Sequence, residues 1–138
     1  MYRFLVPLFL IAATAHAQSL TPNRYVLVVA QANGDEISSR MPAIELVGNT
    51  FRIGSQTGHW TYFDNALALD GYYAQSWGAA TTDENRSFLH FSYVRGGVTW
   101  DLWYLPEGFV VEGRKQALER ILQFQNQLAL TAQASRSQ

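Results

Sequence analysis

Residues Ala43 to Leu69, AIELVGNTFRIGSQTGHWTYFDNALAL, thread as consecutive antiparallel strands with every pairing in register. Gly48-Asn49 tolerates the positive φ of a tight hairpin. It sets Val47 against Thr50, Leu46 against Phe51, Glu45 against Arg52 and Ile44 against Ile53. Asp64-Asn65 closes a second hairpin, in which Phe63 meets Ala66, Tyr62 meets Leu67, Thr61 meets Ala68, Trp60 meets Leu69 and His59 meets Asp70. Side chains on a strand alternate between faces, so Ile44, Leu46, Phe51, Ile53, Trp60, Tyr62, Leu67 and Leu69 share one face, the expected core. The other face sets Glu45 opposite Arg52 and His59 opposite Asp70, the charge complements of a solvated surface. The Ser55 to Gly58 connection has weaker turn chemistry, but an even shift of register keeps the same residues inside.

The flanking segments extend this pattern. Arg24 to Ala30 is rich in β-branched residues and apolar on both parities, which predicts a strand covered on both faces. Asn33-Gly34 turns the chain, and Glu36 to Arg40 reads as a short edge strand. Tyr72-Tyr73-Ala74 reads as the start of another strand. Ser76 to Asn85 has no sustained period and reads as a loop carrying Trp77 among small residues. Ser87 to Val94 and Val98 to Leu105 form a long hairpin around Gly96-Gly97. It pairs Arg95 with Val98, Tyr93 with Trp100, Phe91 with Leu102 and Leu89 with Tyr104 on an apolar face. Its other face is mixed, with Ser92 opposite Asp101 and His90 opposite Trp103. From about Glu112 to 130 the period becomes helical, with Leu118, Ile121, Leu122, Leu128 and Ala129 on one stripe, and residues 132–138 are expected to fray.

Arg3, the apolar run Phe4 to Ala13 and Ala15-His16-Ala17 read as a secretory signal peptide over residues 1–17, cut before Gln18. That run is too short to span a hydrocarbon core of about 30 Å, so a soluble exported protein, periplasmic or extracellular, is expected. Removing the leader from 138 residues leaves 121, enough for one domain, with no cysteine available for a disulfide. The exported part carries 9 basic against 11 acidic residues and no basic cluster, which argues against a nucleic-acid partner.

Chemistry-bearing motifs are sparse. The exported chain has two histidines, His59 and His90, in no metal-ligand spacing, and no cofactor is expected. Ser87 and Ser92 lie in no nucleophile elbow, and Gly96-Gly97 joins two strands instead of opening a helix. Gly58-His59-Trp60 resembles the GxW signature of lipocalins, and meandering hairpins before a C-terminal helix are similar to the calycin plan. In lipocalins the motif belongs to the first barrel strand, whereas here strands precede it. What the resemblance implies is therefore architecture alone.

The expected fold is a mainly β, antiparallel meander barrel or strongly curved sheet of about seven or eight strands, with one C-terminal amphipathic helix over an end or face. The expected function is binding or interaction with a protein partner, as an envelope factor or inhibitor would act. The alternatives are carriage of a small apolar ligand in the barrel and a hydrolase using His59 or His90. If the helix leaves the mixed hairpin face open, His90, Trp103, Asp101 and Ser92 form a recognition patch. If it covers that face, Asp101 must find donors, His90 and Ser92 are the nearest, and the cluster is structural; the open face is the expected case. Trp77 is the other candidate binding residue, unless it folds back to plug the barrel.

Overall fold

The meander closes on itself. In the computed structural model, which describes residues 23–111 and 113–137, the strands are β1 (Asn23–Ala32), β2 (Asp35–Ile37), β3 (Ile44–Val47), β4 (Thr50–Ile53), β5 (Gln56–Phe63), β6 (Ala66–Leu69), β7 (Ala80–Thr81), β8 (Leu89–Arg95) and β9 (Val98–Pro106). The antiparallel pairing of β1 with β9 completes the ring, so β1 and β3 to β9 make an eight-stranded barrel. Full closure removes the exposed edges that invite other chains to pair. β2 is hairpinned onto Ala30–Ala32 of β1, on the same edge that pairs Asn23–Tyr25 with β3. The expected leader and its cut site at Gln18 lie outside the described residues.

The expected registers are present. Ile44 pairs with Ile53, Leu46 with Phe51, Trp60 with Leu69, and Phe91 with Leu102. The turns that set them have positive φ where a tight hairpin requires it, including 52° at Asp64 and 61° at Asn65. The connection between β4 and β5 is tighter than expected: Ile53 pairs directly with Gln56. Gly58 pairs with Phe51, and a Cβ there would collide with the Phe51 ring and the Asp70 carboxylate. A glycine at this point of the strand thus has a local steric cause.

A bulge in β1 between Leu27 and Val29 explains why that strand is apolar on both parities. Tyr25, Leu27 and Ala30 join the barrel interior, whereas Val28 and Val29 belong to an outer apolar layer with Phe88, Trp103 and Leu105. The long helix lies on that outer layer. After α1 (Tyr72–Trp77) and the single turn α2 (Glu107–Val110), the helix α3 (Arg114–Ser137) brings Ala117, Ile121 and Phe124 down onto it. Arg114 anchors its start, donating to the Val28 carbonyl at 3.1 Å and pairing with Glu36 at 2.5 Å. Helical structure continues through the segment expected to fray, as far as Ser137. Among the described residues no helix is long and apolar enough to cross a membrane.

Tyr72 to Ala74, expected to begin a strand, instead lies in α1. Six residues are too few to display a helical period, and what holds this turn is tertiary: Tyr73 and Trp77, one turn apart, both enter the barrel end. At the other end residues 82–88 are tied to the barrel by Tyr25 and Tyr62, whose hydroxyls donate to the Arg86 and Asp83 carbonyls at 2.6 and 3.2 Å.

Candidate functional site

The mixed face of the β8–β9 hairpin has the expected register, with His90 opposite Trp103 and Ser92 opposite Asp101. Diagonal neighbours on this face, His90 and Asp101 meet at 2.7 Å through Nε2 and Oδ1. The imidazole lies flat on the Trp103 indole, 3.9 Å between centroids at 9°. The expectation of an open patch is overturned, because α3 covers the face: Trp103 is 3% exposed, packed in one layer with Ile121, and Phe88 stacks on Phe124 at 4.4 Å. The stripe of an amphipathic helix buries whichever apolar face lacks a cover, and Val28 and Val29 of β1, Trp103 and Leu105 of β9, and Phe88 just before β8 make this outer face that face. The conditional reading therefore applies: the His90–Asp101 pair satisfies two half-buried polar groups at the border of the covered layer.

Ser92 is exposed and makes no hydrogen bond to His90 among the described residues, and His90 Nε2 is already engaged by Asp101. His59 sits on β5, 3.6 Å from Asp70, at the solvent surface. No group of three or more metal-ligating side chains is found among the described residues.

Burial holds the His90 pKa below its usual 6.5, outweighing the hydrogen bond and charge of Asp101, which pull it up. The folded state thus favours neutral imidazole more than the unfolded chain does. The stability this gives is complete above about pH 6.5 and is lost as pH falls below that value toward the lowered pKa. Thermal melts between pH 7.5 and 5 are expected to show a declining midpoint, with a shallower decline in His90→Gln. Equal slopes would remove His90 as the cause.

Trp77 follows the second of its two expected courses. It is 4% exposed and plugs the barrel, its ring 4.6 Å from Tyr73, 5.0 Å from Phe91 and 6.2 Å from Tyr93. An indole has too much apolar surface to stay in solvent when an aromatic cavity lies within one helical turn.

At the opposite end the structure adds a residue that the sequence does not single out. Arg86 has φ 53°, and its guanidinium lies over the rings of Trp60 (5.3 Å) and Tyr62 (5.6 Å). Its loop is pinned by Tyr25, whose hydroxyl donates to the Arg86 carbonyl at 2.6 Å, and by Ser87 N–H donating to Asp83 Oδ1 at 2.8 Å. Burial pushes the Tyr25 hydroxyl up to about 12, against the opposing pull of Arg86, so it stays a donor at neutral pH. The Arg86 guanidinium thus sits against an aromatic pair at this end.

With one outer face under α3 and one end plugged by α1, the outer face of β3 to β6 remains uncovered. It carries Val47, Thr50, Arg52, Thr57 and His59 around a shallow cleft of about 590 Å³, and Phe63 projects at 83% exposure. Arg24 and Arg52 both pair with Glu45 along its margin. No protein-family model matches the chain, and no curated protein or solved structure matches it. The class is therefore defined by the geometry alone: an eight-stranded antiparallel barrel, plugged by a short helix and overlaid on one face by a long C-terminal one.

Proposed function

We propose that the chain is an exported binding protein that recognises another protein through the outer face of β3 to β6. The observation that carries this reading is the placement of Phe63, at 83% exposure, and Val47, at 43%, on the sheet face that α3 leaves bare. Exposed aromatic and branched residues beside satisfied charge pairs make an apolar anchor with a polar surround, the arrangement of interface hot spots. Loss of such an anchor commonly costs more than about 1 kcal/mol of binding.

The double variant Val47→Asp/Phe63→Asp is expected to keep its melting temperature, since both side chains are exposed. It should weaken a partner captured by crosslinking in the native host at least tenfold relative to the parent chain. An unchanged partner, or no partner for the parent chain, would sink the reading. A second reading, carriage of a small molecule, is favoured by one observation: the Tyr104 hydroxyl is buried in the barrel with no hydrogen-bond partner among the described residues.

A further inference from the structure

We propose that α1 is a hinged lid over a small-molecule site at the barrel end it closes, and that the site takes a neutral, planar ring compound with acceptor oxygens, of the quinone class. This rests on the small-molecule reading and is independent of the β3 to β6 face.

Of the three buried side-chain polar atoms without a hydrogen-bond partner among the described residues, Trp60 Nε1 belongs to the ring under Arg86 at the opposite end, and the other two point to a guest. Tyr104, fully buried on β9, and Trp100, four residues earlier on the same interior-facing parity, present Oη and Nε1 without a hydrogen-bond partner among the described residues. Native structures leave few such groups unpaired, and phenylalanine at either position would pack without that cost. The two belong to one end of the barrel. Trp100 is cross-strand partner to Tyr93, Tyr93 stacks on Trp77 of α1, and Tyr93 and Tyr73 both act electrostatically on the Tyr104 hydroxyl. Each orphaned residue is thus one ring removed from Trp77 of α1, Trp100 through Tyr93 and Tyr104 through Phe91.

The chain at α1 is built to move. Its helix has six residues and no side-chain cap, and it is framed by Gly71 (φ 70°, ψ −136°) and Gly78 (φ 71°, ψ −165°). These dihedrals are open to glycine and strongly disfavoured for other residues. An added Cβ would meet nothing within 4 Å at either position, so crowding is not the reason for glycine there. Hinges are short segments that absorb such backbone changes, and swinging about these two withdraws Tyr73 and Trp77 together.

The lining sets the ligand class. Phe51 and Phe91 meet Tyr73 and Trp77 of α1 edge-on and Tyr93 stacks on Trp77, so withdrawing α1 frees aromatic surface that suits a planar guest. An indole N–H and a phenol O–H call for acceptor oxygens. Burial, and then Tyr73 and Tyr93, push the Tyr104 hydroxyl up, so it remains protonated, and a charged guest would be desolvated without a counter-ion.

The probe is 1,4-naphthoquinone, which in this cysteine-free chain has no thiol to modify. Binding is read by quenching of tryptophan fluorescence, and 1-naphthoate serves as the charged control. Naphthoquinone is expected to bind and naphthoate to bind at least tenfold more weakly. Tyr104→Phe, which keeps the ring and the fold, should weaken naphthoquinone about fivefold, the scale of one net hydrogen bond. Hydrogen exchange of residues 71–78 in the unmodified chain should slow on binding. No binding, or binding indifferent to Tyr104→Phe, overturns this site; the small-molecule reading falls separately, if native mass spectrometry of protein purified from its host retains no small molecule. Equal affinity for naphthoate overturns the ligand class. Binding that depends on Tyr104 but protects residues 82–88 and not 71–78 overturns the lid while leaving the interior site standing.

Discussion

Ile121→Asp is expected to lower the melting midpoint by about 15–20 °C, while Leu122→Asp, one residue along the same helix, leaves it within about 2 °C. Ile121 is 3% exposed in the layer shared with Trp103, Phe88 and Leu105, and Leu122 faces solvent. The substitution removes a buried branched side chain, worth about 1.5–3 kcal/mol, and places a carboxylate in an apolar layer without a partner. Together these reach about 4–5 kcal/mol, which for a domain of this size corresponds to roughly 4 °C per kcal/mol. Detachment of α3 would also bare Val28, Val29, Phe88 and Trp103 as one contiguous patch, so the variant should bind hydrophobic dyes and self-associate on gel filtration. Two variants melting together would mean that α3 does not hold this face.

The barrel was legible because strand parity is a local property. Once Asp64-Asn65 and Gly96-Gly97 are accepted as two-residue turns, every partner in two hairpins follows, and the observed pairs agree residue by residue. Closure was legible only as a preference against edges. The docking of α3 was harder, because an amphipathic stripe says that a face is buried and not which one covers it. The signal was nonetheless present: Phe88, Trp103 and Leu105 on the nominally mixed face, with the doubly apolar β1 beside them, formed a surface that needed a lid. Local pattern had nothing to say about α1, which is shorter than two helical turns, or about Trp77, whose small neighbours imitate an exposed loop. Arg86 carried no signal at all. Its left-handed backbone is set by Tyr25, sixty-one residues away in sequence, and by Asp83.

Phe91→Ala is expected to cost about 3–5 kcal/mol, or roughly 12–20 °C in midpoint, and Trp77→Ala distinctly less, although tryptophan is the larger side chain. Phe91 is fully buried on β8, between strands that cannot relax toward a cavity without breaking the ring of pairings, and it touches both Trp77 and Tyr104. Removing its ring leaves a void lined by aromatic edges. Trp77 is equally enclosed, but it is carried by a six-residue helix between two glycines. A segment that can open locally sets a ceiling on what its own truncation costs, because the variant adopts the open form once the closed one becomes worse. The Trp77→Ala loss, read from denaturant titrations with matched slopes, is therefore a lower bound on the opening free energy of α1 without any ligand present, and Phe91→Ala is the uncapped reference. Equal losses at the two positions would place α1 in the same cooperative unit as the barrel strands, and the plug would then be a fixed part of the core.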